Sequence, residues 1–203
     1  TEMASIGIKT PGAFRRETSF RAKLDIDQIV NASGNQGLTW GRNNVYVCDL
    51  ATGKDVKTLE LNDTVIEAIY SPDDKRILTV DLVDGIVIWD ATNYKRLGNL
   101  VQMRDGSWLV MDPQGRYDAN DPSDVDGALY VYDWEGGLEP LDVAQFKGYF
   151  WDPGLLKKLL GTSKERLRDV PSLDSLHLYP SAKLTQDAKG AVTVALEERD
   201  NGG

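Results

Sequence analysis

The sequence holds one cysteine, Cys48, and one histidine, His177. A single cysteine excludes an internal disulfide and any zinc cluster built from cysteines. No run of about 18 apolar residues occurs, so no helical membrane span is expected. The N-terminal stretch TEMASIGIKTPGAF lacks the basic start and apolar run of a secretory signal. Basic charge is also scarce, with 23 Lys and Arg against 32 Asp and Glu, a formal net charge of −9. Arg15-Arg16 and Lys157-Lys158 stand as isolated pairs and form no stripe. Affinity for nucleic acid rests on clustered Lys and Arg, so no nucleic-acid partner is expected. No cofactor is expected either: GNQG at 34–37 and EGG at 135–137 lack the spacing and the lysine of a phosphate-cradling loop. These absences leave a reducing, cytoplasmic setting as the expectation.

What the chain does have is a packed-core composition and a period. Hydrophobic residues make up 41% of its 203 residues, enough to bury a core. Cys48-Asp49 and Trp89-Asp90 lie 41 residues apart, as do Lys54 and Lys95, and Ser71-Pro72 and Asp112-Pro113. The last pairs open two polar turns, SPDDKR and DPQGRY. Between the landmarks lie short β-branched runs bounded by Asp, Gly and Pro: VIEAIY, RILTVDLV and IVIW. The spacing predicts a four-stranded repeat over about 57–90. A partial copy precedes it from about 27 to 49, and a later copy runs from about 99 to 133 with a loop inserted at 118–127.

The stretches SPDDKRILTV and IVIWD, joined through the Asp84-Gly85 turn, resemble a WD-repeat β-propeller over roughly 27–133. Two departures stand out. LELNDT occupies the place of the family's Gly-His pair, so its hydrogen-bonded network of His, Ser/Thr, Asp and Trp cannot be complete. The Trp position of the first copy is Cys48, and that of the last is Tyr132. The resemblance implies about three blades, whereas propellers close with four to eight. A repeat cannot bury both its faces without neighbours. The expectation is therefore a piece of a longer protein, or a processed piece held by the remainder.

After the repeats the period shifts toward 3.6. Residues 134–165 read as a helical connector, with Asp152 as N-cap, Pro153 at the first helical position and Gly161 as the stop. VAQFKGYF at 143–150 reads as a second short helix, with Phe146 and Phe150 on one side. Residues 166–203 read as a partial β-sandwich-like segment, after a polar linker at 162–175. Residues 1–26 are an N-terminal extension. The expected fold is mostly β: a partial propeller, a helical connector and the first strands of an immunoglobulin-like region.

The second half carries a further likeness. GSWLVMDPQGRYDA, EPLDVAQFKGYFWDPGLLKKLLG and LRDV resemble the segment joining propeller blades to the downstream part of bacterial WD-repeat proteins with a caspase-like (peptidase C14) domain. This implies a parent that is a cysteine endopeptidase, and places no protease in this chain. A caspase-like site needs a His base and a Cys nucleophile. Here the family's order of His before Cys is reversed, and no glycine-rich elbow surrounds Cys48. Cys48 is read as a buried apolar residue, His177 as a strand residue, and the chain as no enzyme.

Two clusters remain as site candidates. Asp118, Asp121, Asp124 and Asp126 in DANDPSDVDG offer oxygen ligands for a cation such as Ca²⁺. Pro122 breaks the EF-hand pattern, and Asx-turns explain the same residues. Phe146, Tyr149, Phe150 and Trp151 are interaction candidates, since such aromatics anchor interfaces, or else core of the connector. Asp81, Asp84 and Asp90 read as turn residues bonding backbone amides. The expected function is a non-catalytic sensor or scaffold region of a larger caspase-like protease. Its partners would be the remaining blades and the protease region, or another protein chain. The alternatives are a stand-alone WD-repeat interaction protein, a processed fragment that stays with the protease, or a calcium-binding propeller module.

Overall fold

A computed structural model describes residues 4–7, 17–20, 29–103, 105–125, 129–134, 137–172, 175 and 180–197. The chain forms two units, Thr1–Arg168 and Asp169–Gly203. It is mostly β, in antiparallel sheets. In the first unit, β1 (Ala4–Gly7) and β2 (Glu17–Phe20) form a hairpin. Strands β3 (Gln36–Gly41), β4 (Asn44–Asp49) and β5 (Asp55–Glu60) make a three-stranded sheet. Strands β6 (Glu67–Tyr70), β7 (Arg76–Asp81), β8 (Gly85–Asp90), β9 (Arg96–Gln102), β10 (Trp108–Met111) and β11 (Tyr117–Ala119) make a six-stranded sheet in chain order. β12 (Leu129–Trp134) pairs with β13 (Gly137–Asp142). A 3₁₀ turn (Val143–Phe146) then leads to α1 (Lys147–Phe150) and α2 (Leu155–Leu159).

The polar landmarks of the 41-residue period are turn caps. Asp49 accepts from the Thr52 amide and hydroxyl at 2.7 and 2.8 Å. One repeat later, Asp90 accepts from the Thr92 amide and hydroxyl and the Asn93 amide. SPDDKR closes through the Ser71 hydroxyl, which accepts from the Arg76 amide at 2.9 Å. DPQGRY does the same work with the Asp112 carboxylate, which accepts from the amides of Gln114 and Arg116. Each cap satisfies amides that the strand ladder leaves without partners.

The sheets do not follow the sequence repeat. β5, the first strand of the 57–90 repeat, pairs with β4 in the three-stranded sheet, and the other three strands open the next one. The connection between β5 and β6 is sewn to the β3–β4 turn: the Leu61 amide donates to the Asn43 carbonyl, and the Val65 amide to the Arg42 carbonyl. The third copy also departs from the sequence expectation of a further sheet. β10 and β11 extend the existing sheet from β9. The cause is the tight turn after β9, where the Met103 amide donates to the Ser107 carbonyl and Gly106 takes a φ of 90°. That turn returns the chain onto β9 and leaves no slack to reach a new sheet.

Both faces of β7 and β8 are covered. Ile77, Val87 and Trp89 meet Leu38, Val45, Val47 and Leu59 of the three-stranded sheet. On the opposite face Ile88 and Val110 meet Leu155 and Leu159 of α2, with Leu78, Leu97 and Leu100 beside them. The helix occupies the face that a further sheet would otherwise need to cover. Gly98 permits this approach. A Cβ there would meet the Met111 carbonyl oxygen at 2.5 Å and Leu159 Cδ1 at 2.7 Å.

Helix α2 is shorter than expected, and Asp152 is not its cap. Gly154, at φ 73°, precedes the first helical residue. Asp152 is buried and its carboxylate takes the Lys158 ammonium and the Arg168 amide instead. Gly161 ends the helical segment as expected, in the left-handed region at φ 76°. Residues 162–168 run as an exposed strap that is fastened at Arg168. Its guanidinium donates to the carbonyls of Trp151 and Gly148, and its own carbonyl accepts from Arg116 Nε.

In the second unit, β14 (Ser181–Gln186) and β15 (Val192–Glu197) form one hairpin. Leu184, Val192, Val194 and Leu196 share a face by register and are exposed.

Candidate functional site

The acidic loop and the aromatic cluster meet, in roles other than those their compositions imply. Asp118 turns inward from β11. Its carboxylate accepts the Trp151 indole N–H at 3.1 Å and the Gly154 amide at 2.8 Å. It thus fixes the start of the α2 segment. Asp121 accepts from the Ser123 amide, an Asx-turn. Asp124 is exposed on the same turn, and Asp126 lies outside the described residues. Among the described residues, no three acidic, His or Cys side chains gather as metal ligands.

Phe146 and Phe150 are core. Their rings flank Tyr130, with centroids 5.9 and 5.7 Å away. The Tyr130 hydroxyl donates to the Gly115 carbonyl at 2.7 Å. Trp151 is half-buried, with the Lys147 ammonium 4.9 Å from its ring centroid. Only Tyr149, 55% exposed, presents most of its ring to solvent. Tyr117 lies beneath this cluster and donates to the Pro122 carbonyl at 2.7 Å. Burial, with the negative charges of Asp142 and Asp118, pushes its phenol up to about 12.

Cys48 is buried, and its thiol donates to the Asp55 carboxylate at 3.1 Å. His177 lies outside the described residues. Trp89 keeps a hydroxyl partner: its indole N–H donates to Thr79 Oγ1 at 2.9 Å, with both side chains buried. Asp81, Asp84 and Asp90 act locally. Asp81 Oδ1 accepts the amides of Val83 and Asp84, Asp84 pairs with Asn62 and Arg96, and Asp90 caps its turn.

The surface feature that sequence reasoning missed lies at the β7–β8 turn. Leu82 and Val83 form its tip and are 78% and 62% exposed. Behind them an apolar groove of about 560 Å³ runs past Ile86 and Leu100 to Trp108 and Leu156. Trp108 also walls a second, polar hollow of about 330 Å³ that contains Asp105, Asp121 and Asp124. The signal was present as DLVDG, two aliphatic residues at turn positions that normally take polar ones. No protein-family model and no curated protein sequence matches this chain.

Proposed function

We propose that this chain is a non-catalytic protein-interaction region, a sensor or scaffold that serves a larger caspase-like cysteine protease. The observation that carries the interaction reading is the exposed aliphatic turn of Leu82 and Val83 over an apolar groove. Two adjacent aliphatic side chains exposed at a turn over an apolar groove give a partner a surface to bury. The propeller reading is supported by the staggered repeat, by the face-to-face packing of the first two sheets, and by the buried Trp89–Thr79 pair. The link to a caspase-like protease rests on the likeness of the QF…PGLL…LLG segment. Leu155 and Leu159 of that segment are buried where it seals the six-stranded sheet, and Phe146 is buried against Tyr130.

Native mass spectrometry of the purified protein, with sequencing of any chain that accompanies it, tests this function. A partner carrying further repeats or a His/Cys protease domain is the expected result. A lone chain of 22.5 kDa that also fails to bind a separately produced protease region overturns it.

A further inference from the structure

The groove behind Leu82 and Val83 and the acidic hollow beyond it share one wall, Trp108. Their chemistries differ sharply. The first is an open groove lined mostly by aliphatic residues, with Gly85, Gly106, Gln102 and Trp108. The second holds three exposed carboxylates. Asp105 is held below the usual carboxylate range by bonds from the Ser107 hydroxyl and amide, so it stays charged. Asp121 is fixed by the Ser123 amide, and Asp124 lies beside it on the same turn. Among the described residues lining this hollow there is no Lys or Arg; the Lys147 ammonium donates to Ser123 Oγ, between Asp121 and Asp124, at 2.6 Å, and Arg104 lies outside the described residues.

We propose that the two hollows form one docking site for an extended segment of another protein chain, with two apolar residues followed by Arg or Lys. This rests on reading the chain as an interaction region and names where and what it binds. The apolar pair fills the groove between the Leu82-Val83 tip and Leu156. The basic side chain crosses the Trp108 ring, whose π face attracts a cation. Its charged end then reaches Asp105, Asp121 and Asp124. A free aliphatic ligand would leave the acidic half unused, and an acidic segment would be repelled by it.

Fluorescence anisotropy with the labelled peptide acetyl-Gly-Leu-Leu-Arg-Arg-Gly-amide tests the site, with Glu in place of both Arg as the control. The basic peptide is expected to bind at least about tenfold more tightly than the acidic one. Leu82→Asp is expected to weaken binding by about tenfold or more. Asp124→Lys is expected to weaken it several-fold, and this effect shrinks as salt approaches about 1 M. Both positions are exposed, so the variants keep the fold, which far-UV circular dichroism checks. Absence of binding, equal binding of both peptides, or unchanged binding by Leu82→Asp overturns the proposal. If a partner chain identified by mass spectrometry stays bound to the Leu82→Asp and Asp124→Lys variants, the groove assignment fails while the interaction function stands. If the peptide binds as expected and no protein partner does, the groove stands and the broader function fails.

Discussion

Strands β7 and β15 are both six-residue segments of a hairpin and meet opposite surroundings. In RILTVD, Ile77 and Thr79 are fully buried and Asp81 nearly so. In VTVALE, Val192, Val194 and Leu196 are 60%, 56% and 68% exposed. Alternation commits a segment to an extended backbone with two chemically different faces. It does not supply the second surface that buries one of them. β7 has two such surfaces, the three-stranded sheet and α2, whereas β15 has one hairpin partner. A fully buried aliphatic side chain contributes roughly 1.5–3 kcal/mol, and among the described residues the buried aliphatic side chains lie in the first unit.

The sharpest way to break this contrast is to remove packing where it is complete. Phe150→Ala, at a fully buried site against Tyr130, is expected to cost about 3–5 kcal/mol in urea unfolding of the first unit. Gly98→Ala tests whether α2 truly closes the second face. The added methyl must displace the Met111 carbonyl and Leu159, at about 1–3 kcal/mol, and protease resistance of the α2 segment should fall with it. Thr79→Val keeps the shape but leaves the buried Trp89 indole N–H without its acceptor. The expected loss is about 1–3 kcal/mol, read as a lower denaturation midpoint and a shifted tryptophan emission.

A smaller effect lies at the edge between the first two sheets. The Asp74 carboxylate accepts from the Ala32 and Ser33 amides and the Ser33 hydroxyl at 2.6–2.8 Å. Burial pushes its pKa up, but these bonds outweigh it and the net shift is downward. A carboxylate with a depressed folded pKa stabilises above its unfolded pKa, and the contribution is lost as pH falls through the folded value. Asp74→Asn, which keeps a residue that tolerates the left-handed φ of 57° found here, should therefore cost about 1 kcal/mol near pH 7 and almost nothing near pH 2. An equal cost at both pH values would mean that the charge plays no part. At the small end, Val194→Thr on the exposed hairpin should change stability by less than about 0.5 kcal/mol. A loss comparable to that of Phe150→Ala would show that β15 is covered after all.

Local features were legible in the sequence because local chemistry determines them. The turns at Ser71 and Asp112, the caps at Asp49 and Asp90, and the stop at Gly161 each depend on a few neighbouring residues. Partner choice was not legible. Nothing within LELNDT states that β5 turns back to β4, since that depends on amides bonding Arg42 and Asn43, far along the chain. The acidic loop misled for a related reason. Asp118 has the same composition signal as Asp124, yet contacts 33 and 36 residues away, at Trp151 and Gly154, draw it inward. Asp152 looked like a helix cap until Lys158 and Arg168 claimed its carboxylate. The groove was missed because its two ends, Leu82 and Leu156, come together only through α2.

The offset between repeat and sheet bears on how such a chain can be cut and rejoined. A gene segment encoding 57–90 looks like a self-contained cassette. Excised, it carries β5 away from β4 and leaves that strand's outer edge bare, while the cassette arrives with a strand that has no mate inside it. The natural seam for splicing therefore falls at 61–66, inside the sequence period. A cut there leaves the three-stranded sheet whole and starts at the first strand of the six-stranded one, whereas a cut at the period's own boundary parts β5 from β4.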